Sequence, residues 1–354
     1  MADVRQILTI LGMTCLLFFG IPIRIDKPEK IKEKLFLTYV NKFNKSYKYN
    51  VTELNRRFAS FKESLKMIEE LNAGRTFNSS AYYGLTQFSD MDFGEFNTHH
   101  LKNNHEKVKK RVQMRQKNSM NNNEASNEIL VTRLRRALLP EKFDWRDKGV
   151  VTPVYNQKLC GACWAFSTVE TLETMNAIKT GVLEKLSVQE AIDCSSSVND
   201  GCSGGDICSL LQWMFAKQIK IEPATDYPLK WKTGVCLLKG ASYGVGITEY
   251  ACNTYSKNEK LILDLIANHG PVAVAVNALT WQNYLGGVIQ FHCDSSLDML
   301  NHAVQIVGYD LTAEIPHYIV RNSWGESFGE KGYLKIAIGS NMCGLAHEVA
   351  SIYV

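Results

Sequence analysis

Two residues far apart in this chain could do chemistry together. Cys163 stands in the run Asn156-Gln157-Lys158-Leu159-Cys160-Gly161-Ala162-Cys163-Trp164-Ala165-Phe166-Ser167, and His302, in Leu300-Asn301-His302-Ala303-Val304, follows it 139 residues later. A cysteine acts as a nucleophile through its thiolate, and a thiolate near neutral pH needs an imidazolium or a helix N-terminus close by to lower the thiol pKa. The sequence offers both. Phe166, Val169, Leu172, Met175 and Ile178 recur at helical spacing up to Gly181, a residue suited to a helix C-terminus. Cys163 is therefore expected at the positive end of a helix dipole. The pair marks the chain as an enzyme that works through a covalent intermediate.

Larger elements must bring that pair together. A chain of 354 residues has room for two domains, or for one two-lobed domain with additions, and its 45% hydrophobic content is that of a globular protein. From Phe143 onward the first part is helical and cysteine-rich. The later part alternates apolar with small or polar residues, with strands expected at 271–276, 302–309, 317–320 and 332–338. A helical lobe followed by a β lobe is an α+β arrangement, and a cleft between the lobes would join Cys163 to His302. Upstream, Phe36, Val40 and Phe43, and then Leu54, Phe58, Phe61, Leu65, Ile68 and Leu71, repeat at helical spacing. Tyr82 to Asp90 reads as a short strand-like piece. Residues 101–128, rich in Lys, Asn and Gln, read as an exposed, mobile linker. There is no internal repeat and no P-loop.

Composition shifts along the chain set further bounds. Arg5, an apolar run from Ile7 to Ile23 and a charged stretch from Arg24 form a secretory signal peptide pattern with cleavage near Gly20. Interrupted by Gly12, Thr14, Gly20 and Pro22, the run is short for a membrane span of about 20 residues. Ten cysteines are present; Cys15 leaves with the leader and the other nine fall between Cys160 and Cys343, where a secretory route makes disulfides the default. Residues 1–136 hold 24 Lys and Arg against 14 Asp and Glu, a net of +10, and the remainder holds 16 against 22, a net of −6. The basic excess is scattered and forms no aromatic-interleaved patch, so nucleic acid is not an expected partner.

Gln157, the Cys160-Gly161-Ala162-Cys163-Trp164 box, His302 and Arg321-Asn322-Ser323-Trp324-Gly325 together resemble the papain-like cysteine proteases, in the order and approximate spacing of that family. The resemblance implies an α+β, two-lobed papain-like fold with a helical left lobe, a β-barrel right lobe and an N-terminal helical inhibitory propeptide. It implies a signal peptide at 1–23, a propeptide at 24–137 with a linker at 101–136, and a peptidase domain at 138–354. Cys163 would attack the scissile carbonyl, and His302 would keep the thiolate charged and protonate the leaving amine. Asn322 would orient the imidazole, shielded by Trp324, and the Gln157 side-chain amide with the Cys163 N–H would form an oxyanion hole. Implied bridges are Cys160 with Cys202, Cys194 with Cys236, and Cys293 with Cys343. Cys208 and Cys252 are left to form another bridge or to stay as thiols. No cofactor or metal is implied.

Cys160-Gly161-Ala162-Cys163 also fits C-x-x-C, the pattern of thioredoxin-like redox proteins, but that reading leaves His302 and Asn322 without a role. A catalytically silent binding protein on the same fold would be expected to lack the nucleophile, the histidine or the asparagine, and all are present. Partners implied by the resemblance are protein or peptide substrates, the chain's own propeptide and cystatin-type inhibitors, with the enzyme a monomer. The cleft-blocking insertions of exopeptidases are not identifiable. Phe328 stands where the family usually has a second tryptophan.

The resemblance also places the main selectivity pocket, which takes the substrate residue one position before the one carrying the scissile carbonyl. Its lining would be Asp206, Ile207, Ala275, Leu300, Ala303 and Glu348, beside the Gly204-Gly205 pair that binds substrate backbone. A carboxylate at the floor of an otherwise apolar pocket pairs with a basic side chain, so Arg or Lys is expected there beside Leu, Val or Phe. Glu53-x3-Arg57-x3-Phe61-x2-Ser64-x3-Ile68-x3-Asn72 and Gly84-x-Thr86-x-Phe88-x-Asp90 resemble the two propeptide motifs of the family, with Ser64 and Thr86 as departures. The charge contrast would help hold the propeptide and weaken as carboxylates protonate, which predicts acid-assisted activation. Arg133-Leu134-Arg135-Arg136 resembles a convertase site that would place an N-terminus at Ala137. Sequons at Asn44, Asn50 and Asn78 all precede it, so any sugar-dependent sorting to the lysosome would act before maturation. The expected destination is the lysosome, or the cell exterior.

Overall fold

The computed structural model describes residues 28–121, 139–238 and 243–354. The expected signal peptide and the basic tetrad at 133–136 lie outside them. Among the described residues no helix is long and apolar enough to cross a membrane. The chain divides into two units, Met1–Phe58 and Ala59–Val354.

In the first unit, helix α1 (Pro28–Lys42) buries Phe36, Tyr39 and Val40, a stripe at helical spacing. The Phe36 ring lies 5.2 Å from that of Phe58. Helix α2 (Val51–Ala73) starts at Asn50, whose side-chain oxygen accepts the Glu53 N–H at 3.1 Å and so satisfies one of the helix's orphan donors. Glu53 reaches both Arg56 and Arg57 at 2.7 Å, and their guanidinium groups hold its carboxyl down at about 2.

The second unit begins along α2. At its end the Asn72 amide donates to the Tyr83 carbonyl at 2.8 Å and its oxygen accepts the Tyr83 N–H at 3.0 Å, which pins β1 (Tyr82–Tyr83). The rest of the piece expected to be strand-like is a turn, because Ser89 Oγ accepts the Thr86 N–H and Thr86 Oγ1 accepts the Phe88 N–H. Helix α3 (Phe93–His100) follows, capped by Asp92, which accepts the Glu95 N–H at 2.8 Å. Residues 101–104 then run extended into α4 (His105–Asn121). The expectation of a linker from 101 is therefore corrected for this stretch. Val108 and Val112, one turn apart on α4, bury against Ala275 and Leu300, partners far along the chain that local composition does not disclose.

The remaining elements are β2 (Lys142–Asp144), α5 (Cys163–Thr180), α6 (Val188–Cys194), α7 (Ile207–Lys217), β3 (Lys220–Ile221), β4 (Val245–Gly246), β5 (Glu249–Asn253), α8 (Lys260–Asn268), β6 (Val272–Val276), β7 (Tyr284–Gly286), β8 (Val288–Ile289), β9 (His302–Asp310), β10 (His317–Arg321), β11 (Tyr333–Ala337) and β12 (Val349–Tyr353). One sheet runs in the order β5-β12-β6-β9-β10-β11-β8 with β2 also on β9, and only the β11–β8 pair is parallel. The fold is papain-like and α+β. Strand alternation divides two cores. Val272, Val274, Val276, Val304 and Ile306 enter one with Val320, Leu334 and Ile336. Ala273, Ala303 and Ala350 face the other, where Trp164, Phe166, Val169 and Leu172 of α5 pack. Alanines at those positions let the helix lie close against the sheet, which sets its first residue beside the start of β9.

Candidate active site

Cys163 is the first residue of α5, and the helix ends at Gly181 in the left-handed conformation, φ 77°. The thiol is fully buried. Its hydrogen-bonding neighbours are backbone groups of Trp164, Cys163 itself, Ala303 and Lys102. His302 begins β9 in register with Val276, and Asn322 lies one residue past the end of antiparallel β10, so the sheet's hydrogen bonding brings the two together. His302 Nε2 and Asn322 Oδ1 are 2.8 Å apart. The Trp324 ring lies over the imidazole at 4.9 Å, and Trp281 meets it edge-on at 6.0 Å. These indoles wall the histidine–asparagine pair off from water.

Gln157 is fixed from three sides. Its N–H donates to the Ser323 carbonyl at 2.7 Å, its Oε1 accepts the Ser323 hydroxyl at 2.6 Å, and its Nε2 donates to the Cys160 carbonyl at 3.1 Å. The same Nε2 lies 3.4 Å from the carbonyl oxygen of His100. Chain from the N-terminal part thus runs straight through the cleft. After His100, the Lys102 carbonyl accepts the Gly205 N–H at 3.1 Å, the Asn103 N–H donates to the Asn301 carbonyl at 2.9 Å, and the Asn104 N–H donates to the Gly205 carbonyl at 2.7 Å. Gly205 has to be glycine for another reason: a Cβ there would sit 2.4 Å from the Trp164 indole. Gly204 takes φ 130° beneath the Lys102 carbonyl.

This cover changes the electrostatics expected from the sequence. Burial pushes the Cys163 thiol up to about 11, overriding the helix N-terminus and the surrounding N–H donors, which act to lower it. Burial pushes His302 down to about 4 against the opposing effect of Asn322. With the cleft filled, the neutral thiol and neutral imidazole are favoured over the ion pair.

The pocket residues also converge, and α4 fills the space between them. Val108 and Val112 pack on Ala275 and Leu300, while the Arg111 guanidinium reaches Asp206 through Nη1 at 2.8 Å and Nη2 at 2.5 Å and Glu348 through Nη2 at 2.7 Å. Glu348 is 1% exposed, so it points into the protein and not to solvent. The pocket is not otherwise apolar as expected, because Asp206 contributes a second buried carboxylate. Ile207 and Ala303 are buried in the neighbouring core.

Four disulfides frame the site: Cys160–Cys202, Cys194–Cys236, Cys208–Cys252 and Cys293–Cys343. Cys208 and Cys252, which the sequence left open, join α7 to β5. Asn44, Asn50 and Asn78 are exposed.

Residues 139–353 match the papain family cysteine protease domain, and residues 36–96 match the cathepsin propeptide inhibitor domain. The chain belongs to the papain family of cysteine proteases. It is 41% identical over 301 residues to cathepsin O of Homo sapiens, covering 84% of this chain and 88% of that protein, and 38% identical over 300 residues to cathepsin O of Mus musculus, covering 84% and 90%. Among solved structures it resembles a recombinant stem bromelain precursor, with a TM-score of 0.73, 31% identity and coverage of 91% of this chain and 99% of the other. It also resembles the digestive procathepsin L 3 of Tenebrio molitor larval midgut, with a TM-score of 0.74, 28% identity and coverage of 91% and 99%. The protein is a papain-family cysteine endopeptidase carrying its propeptide.

Sequence reasoning missed three contributors to this papain-family cleft. Trp281 lies in the run before β7, with nothing local to mark it as a wall of His302. His100 lies in a stretch that carried no reading, and Arg111 in the segment read as an exposed linker. The one signal for Arg111 was the i, i+4 spacing of Val108 and Val112 around it.

Proposed function

We propose that the chain is the zymogen of a thiol endopeptidase that hydrolyses peptide bonds through Cys163, His302 and Asn322. In the uncovered cleft His302 takes the thiol proton, and the Cys163 thiolate attacks the scissile carbonyl to form a tetrahedral oxyanion. The Gln157 side-chain amide and the Cys163 N–H receive the negative oxygen, a contribution of about 3–4 kcal/mol per donor. His302 returns the proton to the amine as the C–N bond breaks, leaving an acyl-enzyme. It then deprotonates a water that attacks the thioester, releasing the acid and restoring the thiol. Asn322 holds the imidazole through the 2.8 Å contact, in the orientation these transfers need.

The observation that carries this reading is the placement of the His100 carbonyl 3.4 Å from Gln157 Nε2 while the Lys102 backbone lies on the Cys163 thiol. A peptide already lies where a substrate would lie. It runs from the Trp324 side toward Gly205 and the pocket, opposite to the direction required of a cleaved chain, whose acyl side belongs at Gly205. Its bridge to Gly205 is parallel. The redox alternative lacks its dithiol, since Cys160 is bonded to Cys202.

The proposal extends to route and partners. The enzyme enters the secretory pathway through residues 1–23, carries sugar at Asn44, Asn50 and Asn78, and works in the lysosome or outside the cell as a monomer after its propeptide is removed. Processing follows acidification or cleavage after Arg136. Cystatin-type inhibitors compete for the vacated cleft. The decisive experiment labels activated protein with an epoxide that alkylates the nucleophile. Wild type is expected to take one label, and Cys163→Ser none with its fold retained. Equal labelling of both would sink the mechanism.

A further inference from the structure

The contents of the pocket go beyond acceptance of a basic residue. Arg111 enters as a side chain in a buried site, and the two carboxylates meet its guanidinium in different ways. Asp206 takes a fork, one oxygen to each terminal nitrogen, at 2.8 and 2.5 Å. Glu348 takes a second hydrogen from Nη2 at 2.7 Å. Asp206 is fixed before Arg111 arrives, because its Oδ1 caps α7 by accepting the Ser209 N–H at 2.7 Å and its own N–H donates to Asn199 Oδ1 at 2.9 Å. Both carboxylates are at most 1% exposed.

We propose that Asp206 and Glu348 form a guanidinium clamp, so that the mature enzyme selects arginine over lysine at the substrate residue held in this pocket, with Arg111 as the built-in occupant of the inactive form. This rests on the endopeptidase reading. Two facing carboxylates in a buried pocket oppose each other until a cation lies between them. A planar guanidinium can serve the Asp206 fork and Glu348 at once, whereas an ammonium is a point charge that cannot reproduce the fork. A leucine or phenylalanine leaves both carboxylates dehydrated and unmatched.

Two measurements test the clamp. In the first, activated enzyme is given peptides identical except for Arg, Lys or Leu at that position. Loss of one hydrogen bond to a charged group reduces recognition by about ten- to hundredfold, so kcat/KM for Arg is expected to exceed that for Lys by at least about tenfold. Asp206→Asn retains a residue able to cap the helix and is expected to bring the Arg-to-Lys ratio close to unity. Equal use of Lys and Arg by wild type overturns the clamp. In the second, iodoacetamide alkylation of Cys163 is followed in the full-length chain. Arg111→Lys is expected to speed alkylation nearly as much as Arg111→Ala, and an unchanged rate in Arg111→Lys overturns the clamp. Absence of both peptide turnover and epoxide labelling would defeat the endopeptidase reading alone, and the alkylation rates would still decide the clamp.

Discussion

His100 gives the propeptide a specific response to acid. Its ring is 2% exposed, faces Phe88 at 4.7 Å, Phe96 at 5.3 Å and Trp324 at 5.9 Å, and among the described residues neither ring nitrogen has a hydrogen-bond partner. Burial, with the nearby His302 and His99 adding to it, pushes its pKa from 6.5 down to about 3. The docked chain therefore keeps this imidazole neutral, while the released chain takes up a proton below 6.5. Docking strength from this group is complete above that pH and is lost as pH falls toward about 3. At about pH 4.5, two pH units below the released value, the loss is about 2.7 kcal/mol, or about a hundredfold in the opening equilibrium. Replacement by Phe keeps a ring in the aromatic cage and removes the titration. The assay is hydrogen exchange at the Asn103 and Asn104 amides, corrected for intrinsic rates, in a Cys163→Ser background that prevents self-cleavage. From pH 7 to 4.5 the opening constant should rise by about a hundredfold more with His100 than with Phe. An equal rise in both would refute the role of His100.

Two further expectations follow from local geometry. Asn72→Ala removes both side-chain bonds to the Tyr83 backbone, which lie within the propeptide, and should loosen the anchoring of β1 on α2 by about 1–3 kcal/mol, read as faster exchange of the Tyr83 amide. Gly205→Ala forces a Cβ to within 2.4 Å of the buried Trp164 indole. That overpacking should cost about 1–3 kcal/mol, and an unchanged melting temperature would contradict it.

The parts of this fold that could be read from sequence are those where period and position coincide. Val272, Val274 and Val276 announce a strand by alternation, and the expected strands at His302, His317 and Tyr333 begin and end within one residue of the observed ones. The helix from Cys163 was legible because its apolar spacing and Gly181 agree on where it ends. Short runs around Cys163, His302 and Asn322 could be picked out because each holds its chemical residue beside a recognisable neighbour. Glu348 could not be oriented, since inward and outward glutamates look alike in sequence. Residues 101–121 misled because their composition is that of a solvated segment. Backbone hydrogen bonds from Lys102, Asn103 and Asn104 could be made by any sequence, so the side chains of Val108, Val112 and Arg111 carry what signal there was, and the surfaces they meet come from later in the chain. Cys208 and Cys252 remained open for the same reason: a pairing is a fact of three-dimensional proximity, and spacing does not contain it.

The filled cleft bears on folding as well as on inhibition. Among the described residues Cys163 is the one cysteine outside a bridge, in a chain that forms four. Any surroundings oxidising enough to close those bridges would also recruit an exposed thiolate into exchange with them, or oxidise it to a sulfenic acid. Held near 11 and out of water, the thiol is a poor partner for either reaction. The covering segment thus stands to the thiol as a protecting group does, shielding the one nucleophile in a protein that must oxidise its other cysteines.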